Sequence, residues 1–183
     1  MRTTKKTILL AFVFTLFTQT IRSIELPKAP TGFTWQEVPD LKAAFLKPNG
    51  WFFNQGNLNG NPAYFITQED FSDKGKFNTG LTITVSHVKK GSATERGKTF
   101  IDQMAAQLHV KSWNQTAGSF QEFGCELKDT YGNGTVSMYA VTVANPKTDT
   151  LYTFLFESPA ADWDAAWTLG KQIIDTLAIN DDF

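Results

Sequence analysis

Residues 81–88 read Leu81-Thr82-Ile83-Thr84-Val85-Ser86-His87-Val88, apolar and polar in near-perfect alternation. That period of two is the mark of a strand with one face buried. A shorter alternation covers residues 33–38 and is ended by Pro39. Residues 43–47 predict a second short strand, stopped by the turn Pro48-Asn49-Gly50, where Pro fixes φ and Gly admits a positive φ. Trp51-Phe52-Phe53 follows at once, and residues 63–67 return to strand pattern. The stretch between them, Asn54-Gln55-Gly56-Asn57-Leu58-Asn59-Gly60-Asn61-Pro62, is almost all turn formers and predicts a loop. A second, polar loop is predicted over residues 69–78. Further on come three long strands, at 119–131, 135–144 and 150–157, joined by tight connections at 131–134 and 145–149 into a meander. In Leu151-Tyr152-Thr153-Phe154-Leu155-Phe156 both alternating sets are largely apolar, so this strand needs cover on both faces.

Two segments switch to helical spacing. After a candidate N-cap at Thr94, the residues Phe100, Ile101, Met104, Ala105 and Leu108 recur on one face. After Ser158-Pro159, read as an N-cap with Pro at the first helical position, Trp163, Ala166, Trp167, Gly170, Ile174 and Leu177 form a stripe. Asp162 and Asp164 stand in the early turns, where the helix dipole favours them. Gly170 on the stripe predicts close approach to whatever the helix packs on. These elements predict the α/β class: an α/β/α sandwich with a mainly antiparallel sheet flanked by helices. No repeat, linker or low-complexity tract divides the chain, which predicts one domain over residues 24–183.

The beginning of the chain changes the compartment. Met1-Arg2-Thr3-Thr4-Lys5-Lys6 is cationic, Ile8 to Phe17 is apolar, and Thr18 to Ser23 is polar with small residues. That order predicts a removable secretory signal over residues 1–23. The rival, a membrane anchor, needs roughly 20 apolar residues, about twice this run. Export to the periplasm or the cell exterior is the resulting expectation, with no transmembrane segment in the mature chain. Four of the 17 basic residues (Arg2, Lys5, Lys6, Arg22) and no acidic one fall within 1–23, which leaves 13 against 18 and a net charge of −5. The remaining Lys and Arg are scattered, so the clustered cationic footprint of nucleic-acid binding is absent. Cys125 is the single cysteine, so no intrachain disulfide can form. It lies in an apolar strand pattern, as a small buried hydrophobe does. Asn114-Gln115-Thr116 and Asn133-Gly134-Thr135 fit the glycosylation acceptor pattern, which has meaning only in a eukaryotic secretory route.

The order of parts also resembles a known family. The turn Pro48-Asn49-Gly50-Trp51, the strand Tyr152-Thr153-Phe154-Leu155-Phe156 and the Trp163 to Ile173-Ile174-Asp175-Thr176-Leu177 helix resemble the PsbP-like, or Mog1/PsbP, superfamily over nearly the whole mature chain. The resemblance implies the same sandwich fold and a non-catalytic domain that works by binding. PsbP proteins are extrinsic lumenal subunits of photosystem II, Mog1 proteins bind a small nuclear GTPase, and many bacterial relatives are exported. The leader here resembles a bacterial signal rather than a chloroplast transit peptide. No partner-contact positions of either family can be matched, so the resemblance carries the fold and not a site.

Candidate chemistry is sparse. The predicted loop 54–62 and its aromatic flanks suit protein recognition, which nominates Trp51, Phe52, Asn54, Asn57, Asn59 and Tyr64 as a binding surface. Trp51 has the competing role of a core residue. Glu69, Asp70 and Asp73 supply oxygen donors of the kind a divalent cation takes, although their spacing is not that of a calcium loop and Lys74 and Lys76 intrude. His87 and His109, the only histidines, have no ligand-spaced neighbour. No nucleophile elbow or phosphate-cradling loop is present, and no cofactor is implied. The leading expectation is an exported adaptor with a protein partner. A carrier of a small apolar ligand is the second, drawing on 16 Phe and 5 Trp, and an enzyme with a loop-built site is the third. A pocket lined by Phe and Trp favours the carrier, a flat apolar patch the adaptor, and convergent titratable groups in a cleft the enzyme.

Overall fold

A computed structural model describes residues 26–70, 76–131, 136–180 and 182. The leader 1–23, Asp73 and most of the turn at 131–134 lie outside them. The first alternating segments become β1 (Phe33–Val38) and β2 (Ala43–Pro48), linked by a single 3-10 turn at Pro39–Leu41. They pair antiparallel, and the two-residue strand β10 (Ala178–Ile179) adds to the other edge of β2.

The main sheet has seven strands: β3 (Phe52–Leu58), β4 (Asn61–Thr67), β5 (Gly80–His87), β6 (Ser112–Ala117), β7 (Phe120–Tyr131), β8 (Val136–Asn145) and β9 (Thr150–Pro159). Their spatial order is β3-β4-β5-β9-β8-β7-β6, antiparallel throughout. The predicted 7–9 meander is present, and a sixth strand that the sequence pattern left unassigned extends it to the sheet edge.

Among the described residues two helices cover the sheet. α1 (Ala93–Leu108) packs on the face carrying Leu155, where Ile101 and Ala105 meet Phe123, Cys125 and Ala140. α2 (Trp163–Asp175) packs on the opposite face, against Phe156 and beside the small sheet, whose Val38 and Phe45 join the same core. β9 is accordingly covered on both faces, fully buried on the α2 face and half-buried beyond Leu151 on the α1 face. The result is the predicted sandwich of a mainly antiparallel sheet between helices, with the small sheet added to one outer layer.

Several local expectations are corrected. Residues 54–62 are not a loop but the end of β3, a turn and the start of β4. Asn59 and Gly60 take φ of 53° and 84° at the turn, both positive as a primed hairpin turn requires, and Asn57 Oδ1 accepts the Gly60 N–H at 2.8 Å. The helix α1 is capped by Ser92, whose Oγ accepts the Glu95 N–H at 3.1 Å, and not by Thr94. Ser158 and Pro159 end β9 instead of starting α2; a 3-10 turn at Ala160–Asp162 intervenes. Phe100, expected on the buried face of α1, is 40% exposed. Gly170 does sit where the helix comes closest: a Cβ there would lie 2.5 Å from the Phe156 ring.

Candidate functional site

The cover on the α2 face is narrower than the seven-stranded sheet beneath it. α2 and the small sheet fill the middle, and a hollow remains on each side of them.

One hollow, about 540 Å³, lies over β3–β5. Tyr64 and Gln55 line it with Asp40, Leu41, His87 and Lys89. Tyr64 is itself 5% exposed and stacks on Phe53 at 6.4 Å. Burial, and next the charge of Asp40, push its phenol upward, away from use as a base. The other nominated residues do not gather around it. Trp51 is 8% exposed in the core. Phe52 and Asn54 alternate onto the opposite face of β3 from Phe53, which stacks on Tyr64, and Asn57 and Asn59 serve the turn. The six therefore do not make one surface. Of the nominated cation ligands, Glu69 is engaged by the backbone: its Oε2 accepts the Thr79 N–H at 3.2 Å. Among the described residues no three His, Cys, Asp or Glu side chains converge.

The second hollow, about 440 Å³, lies over β6–β8 and is walled by the last turn of α2 and by β10. Its floor follows from strand pairing. Trp113 of β6 stands opposite Gly124 of β7, which stands opposite Val141 of β8. The next pair along puts Gln115 opposite Glu122, and Val143 beyond it. Because Gly124 has no side chain, the Trp113 indole lies flat across β7; an added Cβ would meet the ring at 2.2 Å. Trp113 thereby reaches Tyr139, with ring centroids 6.4 Å apart. Tyr139 continues to Trp167 at 4.4 Å, and Trp167 stacks on Trp163 at 5.4 Å with planes 6° apart. An aromatic row thus runs from the edge strand to the buried side of α2.

Polar groups sit on that aromatic floor. Gln115 Nε2 donates to Glu122 Oε2 at 2.5 Å. Asp175 pairs with Lys171 one turn earlier on α2, both exposed. The Tyr139 hydroxyl makes no hydrogen bond among the described residues. Its pKa is pushed up to about 12, first by burial and then by the charges of Glu122, Glu126 and Asp175. The phenol is thus a neutral donor, not a base, at any ordinary pH. The rest of the lining, Val141, Val143 and Phe154 of the sheet with Ile174, Leu177 and Ile179 above, is apolar. No nucleophile is seated beside a general base among the residues that line it.

Residues 112–117 carry a single large apolar side chain, Trp113, among polar ones, so the sequence alone predicts no element there and does not reveal this site. The signal was the alternation Trp113, Gln115, Ala117 against Ser112, Asn114, Thr116, which only a partner strand makes meaningful.

No family model matches the chain, and no curated protein does. Solved structures do. The solution structure of cyanobacterial PsbP (CyanoP) from Synechocystis sp. PCC 6803 matches with a TM-score of 0.56, over 83% of this chain and 95% of that one, at 16% identity. The Ran-binding protein Mog1p from Saccharomyces cerevisiae matches at a TM-score of 0.49, over 80% and 95%, at 10% identity. The fold is therefore similar to that of the cyanobacterial PsbP, and at 16% identity the likeness is one of fold alone. Among the described residues no helix is long and apolar enough to cross a membrane.

Proposed function

We propose that this chain is an exported, non-catalytic binding domain that engages a protein partner through the groove over β6–β8. The carrying observation is the aromatic floor of Trp113 and Tyr139, left uncovered at the sheet edge and backed by Trp167 of α2. Aromatic side chains offer large contact area at little conformational cost, and interfaces concentrate them. The signal-like leader at residues 1–23 supports export. Having a Trp and two Phe in its lining, the groove also gives the carrier reading its specific support. Against a carrier, β6 is the edge strand, so the groove is open along one side, whereas small-ligand sites bury most of their ligand.

Native mass spectrometry of the protein recovered from its own exported fraction decides between them. A mass increment of protein size, abolished by Trp113→Ala, is the expected result. An adduct of a few hundred daltons replaces the adaptor with the carrier, and a denatured mass that retains residues 1–23 overturns export.

A further inference from the structure

Resting on that reading, we infer that the groove recognises a basic side chain, arginine or lysine, carried beside apolar residues on an extended segment of the partner. The lining holds two carboxylates, Glu122 and Asp175, and no basic residue. A third, Glu126, stands opposite Tyr139 across the β7–β8 ladder. The Tyr139 hydroxyl registers the charge of all three, so the negative potential is focused where the aromatic faces lie.

A cation gains from an aromatic face within about 6 Å of the ring centre, most over Trp. Trp113 and Tyr139 present two such faces, tilted 32° to one another, next to the Glu122 carboxylate. Gln115 anchors that carboxylate from one side, which fixes its position for an incoming donor. The Lys171 contact with Asp175 is an exposed one-turn pair, weakened by solvent screening, and yields readily to a better-placed cation. Beyond the charged end, Val141, Val143 and Ile174 offer apolar contact for a neighbouring side chain.

The backbone points the same way. β6, Ser-Trp-Asn-Gln-Thr-Ala, has no charge and no Pro, the devices that normally protect an edge strand from pairing. An extended segment added there would send alternate side chains, about 6.6 Å apart, onto the groove face.

The test uses the exported protein and three blocked peptides, Leu-Arg-Leu, Leu-Glu-Leu and Leu-Leu-Leu. Each is titrated to millimolar concentration while the tryptophan indole N–H signals are followed by NMR. The Arg peptide is expected to shift the Trp113 and Trp167 signals saturably and to leave unmoved that of Trp35, which lies on β1 outside the groove lining. Glu122→Gln and Asp175→Asn, with thermal midpoints checked, should each weaken it about five- to tenfold, and added salt should weaken it further. If Leu-Leu-Leu binds as tightly, the groove reading stands and the basic-residue inference falls. If no peptide saturates the signals, both fall. Unchanged affinity in both charge variants also overturns the inference.

Discussion

At the residue scale, two glycines separate space from rigidity. Gly170 on α2 faces Phe156, which is fully buried between Trp163 and Trp167 at 5.8 and 5.5 Å. An added methyl at Gly170 meets three atoms of that ring within 2.7 Å, and the ring has nowhere to go. Overpacking of this kind costs about 1–3 kcal/mol, against about 1 kcal/mol gained by replacing Gly with Ala in a helix. Overpacking wins: Gly170→Ala should lower the thermal midpoint in a calorimetric scan, and an increase would refute the close packing. Gly124 faces an even tighter approach, 2.2 Å to Trp113, yet Trp113 is only half-buried at the sheet edge and can swing outward. Gly124→Ala is therefore expected to change stability by less than about 1 kcal/mol. It should instead dismantle the groove floor, red-shifting tryptophan emission and abolishing binding of the Arg peptide. A stability loss as large as that of Gly170→Ala would show that Trp113 is locked in place.

Element by element, the sequence was most legible where one period ran unbroken. Residues 33–38 and 81–88 alternate cleanly and became β1 and β5 within one residue of the expected ends. The β3–β4 region misled because its composition, rich in Asn and Gly, hides a pairing signal: Asn59-Gly60 is a two-residue hairpin turn, and strands of polar residues can flank it when a neighbour supplies the ladder. The start of α2 misled for a related reason. Ser-Pro is a good helix start locally, but Ser158 is fully buried in the sheet, paired with Ser137 of β8, and tertiary pairing overrode the local preference. At α1 the cap lies two residues earlier than the pattern suggested, and substitution can check this. Ser92→Ala removes the acceptor for the Glu95 N–H and should cost about 1 kcal/mol, whereas Thr94→Ala should be close to neutral. Urea denaturation of the two variants distinguishes the caps, and the reverse ranking would return the cap to Thr94.

For the whole molecule, the layer order could be read because a strand apolar on both faces forces cover on both faces. The groove could not be read, because it is defined by where cover ends: by the width of seven strands against the reach of one helix and three short strands. The opposite face of the sheet, on the α1 side, holds a half-buried titratable group. Glu157 of β9 sits between Gly80 and Met138 in the ladder, with Phe77, Asn78, Val136 and Pro159 around a small hollow. Burial alone raises its carboxyl above the ordinary value of 4.5. A raised folded-state pKa means the folded protein holds this proton longer than the unfolded chain does. The stabilising contribution is then complete below pH 4.5 and is lost as pH rises through the folded value. Asp102 and Asp182, held low first by the side-chain hydrogen bonds from Lys98 and Lys147, act in the opposite sense, with stability lost as pH falls. The wild-type profile alone therefore cannot isolate Glu157, but a difference can. Glu157→Gln keeps the shape and removes the charge, so its thermal midpoint should exceed that of the wild type at pH 7. That advantage should shrink to nothing as the pH drops below 4.5, because both proteins then carry a neutral group at this position. A constant difference across that range would mean that the carboxyl is solvated in the folded protein and that its burial carries no electrostatic cost.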